Sequence, residues 1–265
     1  MSEKSTRKKQ RSPLDRARPL RVAGQSLDEQ IDDFTYDHLL APLLLALMLI
    51  VMAALEWWRH AYDVKLNPPA FTAAALAGLV YAIYKVWRNR KKLKKLKQGR
   101  DGERAVAQYL EWFRSAGFFV FHDIPNGDAN IDHLLVGAKG VFTIETKTLS
   151  KPHRGPCKLS VVNDEILANG SKLDRNPLVQ ARAQAGWVRG FLKEARFDAH
   201  VWPVVLFPGW FVEPFDAKSA AIWVLEPKAL NKFMENEPDR LNRDEVKAIG
   251  SAITSYVRAE MSKKA

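Results

Sequence analysis

The chain has 265 residues, 47% of them hydrophobic and 27% charged, with a formal charge of +11 and one cysteine, Cys157. That composition suits one ordinary folded domain plus an additional segment, and a lone cysteine excludes both an intramolecular disulfide framework and a multi-cysteine zinc site. The charge does not describe a basic domain, because residues 101–265 hold 22 Lys and Arg against 21 Asp and Glu, while "KVWRNRKKLKKLKQGR", residues 85–100, holds nine basic groups and no acid.

Residues 1–38 are polar and carry no apolar period, so they are predicted to form a disordered tail. Two apolar runs follow, "LLAPLLLALMLIVMAALEWW" at 39–58 and "AFTAAALAGLVYAIYKVW" at 70–87. At about 1.5 Å per residue each is long enough for a bilayer core of about 30 Å. Trp57, Trp58, Tyr84 and Trp87 stand at the ends, where amphipathic rings favour the interface. Residues 39–87 therefore read as a transmembrane helical hairpin. A buried soluble hairpin or a signal peptide is the alternative, and the polar residues ahead of the first run argue against the latter. The connecting loop, 59–69, holds only Arg59 and Lys65, against eight basic residues before the hairpin and nine after it. This asymmetry places both termini in the cytoplasm, as in a multi-pass protein of the bacterial inner membrane. Residues 88–100 then read as a basic juxtamembrane linker, with the 85–100 stretch touching anionic lipid headgroups.

From residue 101 to 265 the pattern is that of a folded domain. "GERAVAQYLEWFRSA" has Val106, Tyr109, Leu110 and Phe113 at helical spacing. Residues 118–125, 130–137 and 141–148 read as three strands, and 157–173 as a hairpin turning at Asn163–Asp164. A helix over 174–195 has Asn176 as its N-cap and Pro177 at its first position. Strands at 200–209 and 220–227 and a helix over 239–262 complete the order. The expected fold is α/β, a mixed sheet between helices.

Three charges interrupt the central strands, Asp132 in the first and Glu145 and Lys147 in the second. If Gly137 and Gly140 flank a two-residue turn at Ala138–Lys139, Asp132 lies opposite Glu145, and Lys147 falls on the same face. Two carboxylates that close call for a cation between them, and Mg²⁺ or Mn²⁺ with oxygen ligands meets that need. The lysine beside them offers positive charge to a developing oxyanion. That combination is what metal-assisted phosphodiester hydrolysis uses. Glu103 sits on the apolar side of its helix, either to complement the helix N-terminus or to join the same site. Gln180 and Gln184 are helical neighbours whose ordinary reading is a solvated pair.

These residues together resemble the NERD (nuclease-related domain) family of the PD-(D/E)xK nuclease superfamily. The resemblance rests on "GRDGE" at 99–103, "IDHLLVGAKGVFTIETK" at 131–147 and "NPLVQ" at 176–180, and spans roughly residues 98–196. It implies a restriction-endonuclease-like fold. It also implies metal ligation by Asp132 and Glu145, catalysis by Lys147, and help from Glu103 and Gln180 in placing metal or substrate. The superfamily's Pro-Asp pair is absent, since Ile131 precedes Asp132. Nucleic acid, with DNA as the expected form, would meet Lys151, Arg154, Lys158, Arg175 and Arg182, the last two in a seven-residue helical repeat with Arg189. His133 points to the opposite face and reads as structural, and His153 with Cys157 lacks the further ligands of a zinc site. The rival reading is a tethered binding or scaffolding module without catalysis.

Overall fold

The computed structural model describes residues 20–62, 68–127, 129–152, 154–214 and 221–263. The chain enters through a helix, α1 (Gln25–Thr35), which passes through a π-helical turn, Tyr36–Leu40, into α2 (Ala41–His60). The described part of the expected tail is thus ordered. Ile31 and Phe34, three apart on one face of α1, are buried where α1 packs along the helix after α2, so a short amphipathic period hidden among acids was enough to fix it.

The next helix, α3, runs unbroken from Pro68 to Leu110. It contains the second apolar run, the whole basic stretch and the "GRDGE" segment. The expected linker at 88–100 is therefore helix, which follows from its content of Lys, Arg and Leu, all good helix formers. Acidic α1 lies along basic α3, with Arg104 at 2.5 Å and Arg100 at 3.3 Å from Asp28, and Lys92 4.7 Å over the Phe34 ring. Between α2 and α3 the seam is made of small residues, with Ala46, Ala53, Ala75 and Ala82 buried. A Cβ on Gly78 would stand 2.6 Å from Leu49 Cδ1. The large side chains, among them Leu44, Leu47, Met48, Val80 and Ile83, face outward and are exposed.

A short helix, α4 (Trp112–Ser115), leads into β1 (Phe119–Asn126), β2 (Ala129–Gly137) and β3 (Gly140–Thr146), which form an antiparallel meander. Helix α5 (Pro177–Glu194) then crosses to β7 (Val201–Leu206), parallel to β3, and β9 (Trp223–Leu225) adds in parallel beyond it. A smaller sheet holds β4 (Lys158–Val162), β5 (Glu165–Ala168), β6 (Ser171–Lys172) and β8 (Phe211–Val212). Helices α6 (Leu230–Glu235) and α7 (Arg243–Lys263) close the chain.

The main sheet is mixed and covered on both faces, as expected. Leu134, Val136 and Val141 pack with Ala185, Val188 and Leu192 of α5 and Ile249 and Ile253 of α7. Leu135, Phe142 and Ile144 on the other face pack with Val106, Leu110 and Phe113 of the first helical layer and with Leu230 and Met234 of α6. The union of β4–β5 with β8 in a sheet of its own, and α6, went unread in the sequence. Their apolar periods are too short to register.

Candidate active site

The β2–β3 register pairs Gly137 with Gly140 and His133 with Ile144, as the two-glycine turn predicts. The ladder stops one residue later. There the Asp132 carboxylate replaces a backbone acceptor, with Oδ2 taking the Thr146 N–H at 2.7 Å. Glu145, on the neighbouring position of β3, is 1% exposed. Its Oε1 lies 2.5 Å from Lys147 Nζ, and its Oε2 accepts from Gln180 Nε2 at 2.7 Å and Gln184 Nε2 at 2.6 Å. Lys147 Nζ also donates to Gln180 Oε1 at 3.0 Å. Asp132, Glu145, Lys147 and Gln180 thus meet at one end of the sheet.

Helix α5 reaches this point because Asn176 caps it, accepting the Leu178 N–H at 3.0 Å, with Pro177 at the first position. Gln184 was read in the sequence as solvated, yet it is 4% exposed, and its Oε1 is buried with no partner among the described residues. The signal was present: it sits between Ala181 and Ala185, which are both on the buried face.

Glu103 comes from the last turns of α3. Burial pushes its carboxyl up to about 7, aided by the charges of Asp123 and Glu145 and opposed by Lys147 and a hydrogen bond from the Gly24 backbone. Asp132 is raised well above the usual range by burial and by the charges of Glu145 and Glu103. Burial also raises Glu145, against the pull of Lys147. Each carboxylate is expensive to ionise beside the others. Their common remedy is a proton or a cation.

Two further residues belong to the neighbourhood. Asp123 of β1 is 2% exposed, and its Oδ2 accepts from Arg21 Nε and from the Ser26 backbone, each at 2.8 Å. Sequence reasoning missed both members of this ion pair. A carboxylate inside the apolar run "FFVFHDIP" was the available signal for Asp123; Arg21 had none, being 102 residues away in a segment read as disordered.

The residues expected to meet phosphates lie at the surface. Lys151, Arg154, Lys158 and Arg175 are exposed, with Lys158 3.9 Å from Glu213. Arg182 is exposed and paired with Asp164 of the β4–β5 turn. His133 is fully buried on the opposite face, as expected, with Nδ1 2.9 Å from His122 Nδ1. His153 lies outside the described residues, and Cys157 is a partly buried free thiol.

Among the described residues, no three His, Cys, Asp or Glu side chains are arranged to hold a metal ion, so the expected set of Asp132, Glu145 and Glu103 is not assembled as a binding site. Asp132 and Glu145 instead hold backbone and amide donors. The donor chemistry nevertheless fits a hard divalent cation, with oxygen ligands only and two carboxylates, Glu103 and Asp132, that have no ion pair among the described residues. Thr146 Oγ1, Thr148 Oγ1 and Gln184 Oε1 are buried oxygens without a partner there too.

Neither a curated protein nor a solved structure matches the chain. The family model described as "Nuclease-related domain" matches residues 98–208, a span that contains Glu103, Asp132, Glu145, Lys147, Gln180 and Gln184. That span is built around the carboxylate site, and over it the chain matches the NERD family.

Proposed function

We propose that the protein is a membrane-anchored nuclease that hydrolyses phosphodiester bonds of nucleic acid, with DNA as substrate and Mg²⁺ as cofactor. The observation that carries this reading is the convergence of Asp132, Glu145 and Lys147 beside Glu103, three of them carboxylates with raised proton affinity. Asp132, Glu145 and Glu103 would hold the ion. When bound, Mg²⁺ supplies Lewis-acid charge to the phosphoryl oxygen and lowers the proton affinity of water. Lys147 brings positive charge to the oxygens that gain charge in the transition state. Gln180, bonded to both Lys147 and Glu145, fixes their relative position. Exposed Lys151, Arg154, Lys158 and Arg175 are placed to meet phosphates, which orient a nucleic acid without reading its sequence.

Two helices are long and apolar enough to cross a membrane. Their small-residue seam and outward-facing Leu, Met, Val and Ile favour a lipid surround, since a soluble hairpin would bury the large side chains instead. The Lys and Arg distribution supports a cytoplasmic catalytic domain at a bacterial inner membrane.

The test is cleavage of single- and double-stranded DNA and RNA by the detergent-solubilised full chain, with Mg²⁺ and with chelator. Asp132→Asn and Glu145→Gln should abolish metal-dependent cleavage, and Lys147→Ala should lower it on the order of 10²-fold or more. Cleavage by Asp132→Asn at the wild-type rate would place the chemistry elsewhere. Metal-independent nucleic-acid binding without cleavage by the wild type would establish the scaffolding alternative.

A further inference from the structure

The cleavage scheme above leaves one carboxylate of the site unused. Asp123 has φ 51° in mid-strand, a left-handed conformation that costs energy and turns its side chain inward. It stands between the pairs His122↔His133 and Ile124↔Ile131, at the position of β1 that faces Asp132. After burial itself, its charge is the largest influence raising Glu103. A carboxylate so placed would be expected to join the ligands of a divalent ion. Its oxygens are already taken. Oδ2 holds Arg21 Nε and the Ser26 N–H, and Oδ1 holds Asn130 Nδ2 at 2.9 Å.

Arg21 is itself 6% exposed, and its second nitrogen reaches Glu29 at 3.2 Å. The segment around it is seated on the catalytic domain. Leu20 packs against the α5–α7 side of the core, Ala23 is buried, and the Gly24 backbone hydrogen-bonds to Glu103. A Cβ on Gly24 would meet Arg100 Cγ at 3.0 Å, so the segment also lies close on α3.

We propose that Leu20–Ser26, ahead of the helical hairpin, is docked against the carboxylate site, and that Arg21 is a positioning residue that keeps Asp123 out of the metal's ligand set. This rests on the nuclease reading. With Arg21 in place, Asp123 is neutralised, while Glu103 and Asp132 have no ion pair among the described residues and Glu145 shares its charge with Lys147. Without it, Asp123 is a buried charge with no counter-ion, and the nearest relief is the same cation. Losing a positive charge next to the site strengthens cation binding by Coulomb attraction, while a fourth carboxylate pulls the ion away from Asp132 and Glu145. Affinity and rate should therefore move in opposite directions. A purely structural role would lower both.

The experiment uses the full chain in detergent, comparing wild type, Arg21→Met and the double variant Arg21→Met with Asp123→Asn. Mn²⁺ affinity is measured by calorimetry without nucleic acid, cleavage by single turnover at saturating Mg²⁺, and folding by thermal melts. Arg21→Met should bind Mn²⁺ several-fold tighter and cleave about 10-fold or more slowly, because a misplaced reacting group is costly. The double variant buries neither charge, so it should fold and return both values to within about three-fold of wild type. Weaker Mn²⁺ binding together with slower cleavage in Arg21→Met, unchanged values, or no recovery in the double variant each overturns the proposal. If Arg21→Met does not fold, the double variant decides: a wild-type affinity and rate support the pairing, and a slow, weakly binding one rejects it. Wild-type protein that binds Mn²⁺ but cleaves nothing sinks the nuclease reading, and the affinity comparison still decides the role of Arg21.

Discussion

Glu103 and Asp132 have no ion pair among the described residues, whereas Asp123 has Arg21 and Glu145 has Lys147. This imbalance has a measurable consequence in the metal-free protein. A carboxyl raised from its ordinary value to about 7 binds more protons folded than unfolded, so its contribution to stability is present at low pH and is lost as pH rises through 7. The histidines act in the opposite sense. Burial lowers His122, His133 and His200, so each favours the folded state more as pH rises. The clean measurement is therefore a difference. Metal-free Glu103→Gln should melt above wild type at pH 8, and that gap should narrow as pH falls below 7 and close only below the carboxyl's ordinary value of 4.5, where Glu103 is protonated in the folded and the unfolded chain alike. Mg²⁺ at pH 8 should stabilise the wild type and shrink the same gap, since the ion binds the ionised folded form. A gap independent of pH would mean that Glu103 is not coupled to the acidic cluster. Asp132, Glu145 and Lys147 were legible because a strand has a period of two and a charge on its buried face stands out. Gln184 was misread because the same helical spacing serves a solvated face, and Arg21 was invisible because its partner is distant in sequence.

At the scale of elements, Glu103 depends on how closely α3 approaches the tail of β3. Gly102 sets that distance: a Cβ there would lie 1.7 Å from Thr148 Oγ1 and 2.8 Å from Thr148 Cβ. Rotating the threonine hydroxyl away leaves the second clash in place. Gln98 secures the same contact, with Nε2 3.4 Å from the Thr148 carbonyl and Oε1 accepting from Ser150 Oγ at 3.0 Å. Gly102→Ala should force the helix outward, at a cost of about 1–3 kcal/mol for overpacking, and should reduce cleavage by displacing Glu103. Combining it with Thr148→Gly, which removes the obstructing Cβ, should recover much of the melting temperature. Equal stability of Gly102→Ala and wild type would show that the helix stands farther off. The glycine in "GRDGE" is thus a spacer, a meaning that sequence alone does not convey. Other elements were legible for local reasons. Asn163 and Asp164 adopt φ 49° and 62°, as a tight hairpin turn requires, and Asn176 caps α5 with its own side chain. The continuity of α3 escaped notice because charge, not helix propensity, dominated the reading of residues 88–100.

For the whole molecule, if α2 and α3 cross a membrane as proposed, the buried Arg21–Asp123 pair constrains the topology independently of charge counting. Its two members lie before α2 and within the folded domain, and α2 and α3, the two candidate spans, lie between them. A 2.8 Å contact cannot cross a bilayer, so the segment before the hairpin and the catalytic domain share one side. Two crossings would then put the connection between α2 and α3 on the other side. Only the identity of that side rests on Lys and Arg, and the loop holds two such residues against eight and nine on its flanks. The basic stretch after Trp87 continues as rigid helix, so Glu103 stands roughly 24 Å along the axis from the aromatic end of the span, at about 1.5 Å per residue. The acidic residues of α1 hold that stalk together on the domain side, through Asp28 to Arg100 and Arg104. A reporter active only outside the inner membrane, fused after Asn67, should be on, and the same reporter fused after Ala265 should be off. A reporter that is on after Ala265 and off after Asn67 would reverse the orientation and remove nucleic acid as the ordinary substrate. Activity at both fusion points would be more damaging, because it would place Arg21 and Asp123 on opposite sides of the bilayer and dissolve the ion pair on which the shape of the site depends.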